Sequence, residues 1–235
     1  MPSFEEIKET NDVVDAPPSL STPHNTIVVC ILGKTFSDAF LRCWTEFLGY
    51  CLTHNIRPLL ANICESSLFI DKNQCLMCDV TKGAEQVPLN GEMDYDYILW
   101  LSGSCSFDSS KLIPRFFEMD HDIVSASSIS SVNMKTMNFI KDIDFSENKA
   151  YSYVTVEEAK EMIHNEQLEV KVDFVDVKCM LMKKGVLEKI QYPWFTGDPT
   201  NLSGDVFFCQ KCKTNGLDIY VDLKLPIRNE TKLLI

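Results

Sequence analysis

Residues 27–32 read Ile-Val-Val-Cys-Ile-Leu, an unbroken apolar run that stops at Gly33. A strand with one wet face alternates apolar and polar residues. A strand with no polar face has to be covered on both sides, which places it inside a sheet layered between helices. The first helix follows directly, because Phe36, Phe40, Leu41, Trp44, Phe47, Leu48 and Cys51 recur at helical spacing through 36–51. A second strand fits 56–63 and a second helix 66–80. This β-α-β-α opening predicts an α/β fold, a mostly parallel central sheet flanked by helices, with ligands at the carboxyl ends of the strands.

Later segments extend the pattern. A third strand spans 95–101 and runs straight into Ser102, Gly103 and Ser104. A helix at 109–119 leads to a strand at 122–127, and 128–169 is irregular except for a helix at 155–165, where Thr155 and Glu158 form a capping box. Residues 170–182 alternate as one strand, and 186–190 form a short helix. Tyr192-Pro193-Trp194-Phe195 makes an aromatic turn, 203–214 is helical, and 217–221 gives a last short strand. Trp100, Trp194 and Phe195 could stack on a sugar or base, but their setting favours the core. The first 25 residues mix acids, prolines and hydroxyl residues without sustained period. They read as an acidic N-terminal arm at 1–25, in front of one domain at 26–235.

Charge and cysteine content narrow the function. With 34 Asp plus Glu against 22 Lys plus Arg, the chain carries a net charge of −12, the wrong sign for a groove that neutralises nucleic-acid phosphates. Ten cysteines include two C-x-x-C pairs, Cys75 with Cys78 and Cys209 with Cys212. A shared zinc is one reading, but the apolar periodicity around the second pair favours reduced, buried thiols. The acidic start has no apolar signal region, and the longest apolar run falls far short of the ~20 residues of a membrane span. A cytoplasmic protein is expected, or a virion-associated one if the chain is viral. His24, His54, His121 and His164 form no recognisable motif for a cysteine hydrolase.

The order of the segments carries a resemblance. ILGKTFSDAFLRCWTEFL, DKNQCL, YDYILWLSGSCSF, DHDIVSAS, VDFVDVKCMLMKKGVLEKIQYPWF and LSGDVFFCQKCKTNGLDIYVDLKLPI follow one another as in the small GT-A-type glycosyltransferases of large DNA viruses and phages. The chain resembles that family over nearly everything after residue 25. The resemblance implies a GT-A-like nucleotide-diphospho-sugar transferase fold, and transfer of a sugar from a nucleotide-sugar donor to a hydroxyl on a glycan or protein acceptor.

The same resemblance marks where this chain departs. The family's Asp-x-Asp metal motif falls on Ser102 and Ser104, two neutral hydroxyls in place of carboxylates. A family arginine near the diphosphate is Lys72, a glycine-x-glycine step is Asp176-Val177-Lys178, an acidic pair is Gly204-Asp205, and a late histidine falls at Arg228-Asn229. The divalent metal site is therefore expected to be lost and no cofactor is expected.

Two readings follow. In one, the enzyme works without metal: Lys72, Lys178 and Arg228 bind the donor diphosphate, and Asp205 is the catalytic base. In the other, the chain is a pseudo-glycosyltransferase that keeps the fold without turnover. It would then serve as a structural or binding subunit of a larger assembly with protein partners, a virion included.

Overall fold

The computed structural model of the chain describes residues 25–62, 68–79, 81–130, 134–143, 153–196 and 204–229. The acidic arm lies outside the described residues, except for Asn25, which opens the first strand. In chain order the elements are β1 (Asn25–Leu32), α1 (Asp38–Thr53), β2 (Ile56–Ala61), α2 (Leu68–Cys75), β3 (Tyr97–Ser102), β4 (Cys105–Ser106), α3 (Ser109–Met119) and β5 (Ile123–Ser127). They continue as β6 (Phe139–Ile140), α4 (Val156–His164), β7 (Glu169–Val172), β8 (Phe174–Val175), β9 (Cys179–Lys183), α5 (Val186–Lys189), α6 (Gly204–Thr214), β10 (Ile219–Pro226) and β11 (Arg228–Asn229).

Seven strands form the central sheet in the order β2-β1-β3-β9-β5-β10-β7. β1 is parallel to β2 and β3, and β5 is parallel to β10. β9 enters antiparallel between β3 and β5, and β7 pairs antiparallel with β10 at the edge. Five strands thus run one way, and the expected mostly parallel sheet flanked by helices is the one formed. Because β9 runs against its neighbours, it begins where β3 ends.

The apolar run of β1 is buried on both faces, as its composition predicts. Ile27, Val29 and Ile31 pack with Phe40 and Phe47 of α1 and with Leu112 and Phe116 of α3. Val28, Cys30 and Leu32 join a second core with Cys75, Leu76, Trp100, Phe195 and the inward face of α6. Trp100, Trp194 and Phe195 are all buried. The side-chain hydroxyl of Ser37 caps α1 through the Phe40 amide, and Thr155 and Glu158 form the expected capping box of α4. Among the described residues no helix is long and apolar enough to cross a membrane.

Three expected elements differ. The alternating stretch 170–182 is three strands, because its polar residues leave the ladder. The Asp173 amide donates to the carbonyls of Ile140 and Lys141, that of Asp176 to Asn138, and that of Lys178 back to Asp176. The helix expected at 66–80 ends at Cys75, where the amides of Leu76 and Cys78 fold back on the Asn73 carbonyl and Met77 turns left-handed (φ 60°). The last strand runs on to Pro226 because the alternation continues beyond 221, with Val221, Leu223 and Leu225 buried while Lys224 and Pro226 face out; Arg115 also reaches the fully buried carboxylate of Asp222 at 2.8 Å. Burial still holds that carboxyl above its usual range.

Candidate active site

The carboxyl edge of the sheet gathers most of the residues singled out from the sequence. β3 ends at Ser102, whose amide donates to the Lys178 carbonyl at 2.7 Å, so the segment leading into β9 lies beside the Ser102-Gly103-Ser104 turn. Gly103 leaves room there for the Phe36 ring. Its amide donates to the Leu32 carbonyl at 2.7 Å, and a Cβ on it would lie 2.7 Å from the Phe36 ring. The Ser102 and Ser104 hydroxyls hydrogen-bond each other at 3.0 Å. Two neutral hydroxyls do not supply the carboxylate oxygens that a hard divalent cation prefers, so Ser102 and Ser104 do not fit a divalent metal.

Behind this turn lies an ion pair. Lys72 of α2 donates to one carboxylate oxygen of Asp205 at the start of α6, and the Val177 amide donates to the other at 3.1 Å. The Lys72 side chain is 4% exposed and that of Asp205 18%. Lys72 sits 5.1 Å from the Phe195 ring centre, and Phe195 stacks on Phe208 and meets the edge of Trp100. Asn73 fixes this platform, donating to the Phe195 carbonyl at 2.6 Å and accepting from its amide at 3.5 Å. Asn73 and Phe195 carry no sequence signal for this task, since an Asn within a short helix and an aromatic turn both read as ordinary structure.

Lys178 lies nearer solvent, its ammonium 2.8 Å from the Asp176 carboxylate, with side chains 32% and 28% exposed. Lys72, Lys178, Asp176 and Asp205 therefore form two internally neutral pairs. Arg228 is in neither pair. It stands exposed on β11, paired in register with Ser106 of β4, and lines a hollow of about 260 Å³ with Ser106, Phe107, Asp108 and Pro226. No carboxylate is paired with Arg228 among the described residues.

The nearby thiols are poor nucleophiles. Burial pushes Cys105 up to about 11, despite the Ser102 hydroxyl and the charge of Lys178, and Cys209 up to about 12. Cys78 donates to the carbonyls of Leu76 and Val87, and Cys209 to that of Val175. Among the described residues no three His, Cys, Asp or Glu side chains are grouped to hold a metal.

No family model matches the chain, and no curated protein sequence matches it. Its fold is similar to that of A197 from STIV, with a TM-score of 0.55 and 13% identity over 88% of this chain and 86% of that one. Two further solved structures are similar at lower scores. GalNAc-T7 with UDP, GalNAc and Mn²⁺ gives a TM-score of 0.47 and 8% identity over 89% of this chain and 44% of that one. The inositol-1-phosphate CTP transferase from T. maritima gives 0.42 and 13% over 89% and 90%. The likeness to A197 is one of fold alone, an α/β arrangement around a seven-stranded sheet.

Proposed function

We propose that the carboxyl edge of the sheet is the donor site of a metal-independent, glycosyltransferase-like protein that takes a nucleotide sugar. The observation that carries this reading is the pairing of Lys72 with Asp205 beside Lys178, two cations and an acid brought to one strand edge from α2, α6 and the start of β9. Lys178, half-buried, and Arg228, exposed, are the cations able to meet an anionic donor. Lys72, enclosed by Phe195, holds Asp205 in place instead. Asp205 accepts the proton of the acceptor hydroxyl as that oxygen bonds to the anomeric carbon and the sugar–phosphate bond breaks. Its electron pair leaves on the diphosphate, where positive side chains offset the developing charge.

A second reading, a fold kept for binding without turnover, is favoured by one detail: both Asp205 oxygens already accept hydrogen bonds within the protein. Release of nucleoside diphosphate from UDP-, GDP- and dTDP-sugars in the presence of chelator separates the two. The enzyme reading expects release, lowered about 100-fold or more in Asp205→Asn. Donor binding without release leaves the second reading standing.

A further inference from the structure

We propose that Asp176 is the resident anion of this site: its carboxylate occupies Lys178 until the diphosphate of a nucleotide displaces it, so Asp176 sets how tightly the site holds its ligand. This inference rests on the donor-site reading above and adds the residue that regulates it.

The two lysine–carboxylate pairs differ in their freedom to exchange. Lys72 and Asp205 are enclosed, and Asp205 is held from its other side by the Val177 amide. The Lys178–Asp176 pair spans only two positions in sequence and is about one-third exposed on each side. Such a pair is screened by water and contributes little to folding, so a competing anion can replace the carboxylate at small cost. The turn that presents both side chains does not depend on that pair. Main-chain bonds hold it, from Lys178 to Asp176 at 2.8 Å, from Asp176 to Asn138 at 3.1 Å, and from Ser102 to Lys178 at 2.7 Å. Lys178 therefore stays at the end of β3 whether or not Asp176 holds its ammonium.

The charge balance points the same way. With Asp176 in place the four charged groups sum to zero, and a diphosphate meets no net attraction from them. Neutralising Asp176 leaves the site one positive charge, on the ammonium beside the Ser102–Ser104 turn.

The test is calorimetric titration of UDP, GDP and dTDP, in chelator, into the wild type, Asp176→Asn, Lys178→Gln and the double variant. Asp176→Asn is expected to bind about tenfold more tightly than the wild type. That gain should vanish in the Lys178→Gln background, which a general loss of negative charge would not produce. Asp176→Ala replaces the Asn variant if the latter fails to fold. Wild-type binding with no gain in the Asp176 variant overturns this inference and spares the donor-site reading. A gain that persists without Lys178 also overturns it. If neither the wild type nor the Asp176 variant binds any nucleoside diphosphate, both fail.

Discussion

At the scale of single residues, the Lys72–Asp205 pair ties function to stability. Removing one partner of an enclosed ion pair strands the other charge, at a cost of about 3–5 kcal/mol. Lys72→Ala should therefore lower unfolding stability by about 3 kcal/mol in urea titrations, toward the low end because Asp205 keeps some solvent contact. Lys72→Met combined with Asp205→Asn should recover much of it. Equal loss in the single and double variants would mean that packing against Phe195, not charge, explains the position. Asp205 was legible in the sequence as an acid opening a helix. Lys72 was legible as a site cation but its pairing with Asp205 was not, because the two are 133 positions apart and no local period connects them. Asp176 read in the sequence only as side-chain bulk; its hold on Lys178 belongs to the folded turn.

At the scale of elements, β1, α1, β3, α3 and α6 follow from apolar spacing because each buries a continuous face against the sheet. The stretch 170–182 defeated the same reasoning. Its alternation is real, but successive parts face different partners: β7 pairs with β10, β8 with β6, and β9 inserts between β3 and β5. Period alone reports burial on a pleat and not which strand supplies it. The cysteines belong to this scale too, since the packing of α1, β4, α6 and the turn after α2 determines their chemistry. Burial raises Cys51, Cys78 and Cys105 to about 11. The folded chain thus keeps protons that the unfolded chain releases near the ordinary thiol value of 9.0. Between these limits the unfolded state binds fewer protons, so stability should fall as pH rises from about 9 to about 11. Urea midpoints measured across that range check the sign; a flat profile would show the thiols are not buried as described. Native protein at neutral pH should also react with thiol reagents far more slowly at these positions than unfolded protein.

At the scale of the molecule, an acidic chain of net charge −12 has folded so that Lys72, Asp205, Lys178 and Asp176 sum to zero charge, with Arg228 on the β4–β11 ribbon as a further cation. A long-range field would repel an anionic donor, so binding has to come from short-range contacts at the strand edge, and added salt should weaken it only modestly. The proposed function stands or falls on a nucleotide sugar held there without a divalent metal. Calorimetry with UDP-, GDP- and dTDP-sugars, run once in chelator and once in Mn²⁺, decides it. At least one donor should bind in chelator, essentially unchanged by Mn²⁺ and weakened about tenfold by Lys178→Ala. Binding that appears only with Mn²⁺, or no binding of any donor, would contradict it.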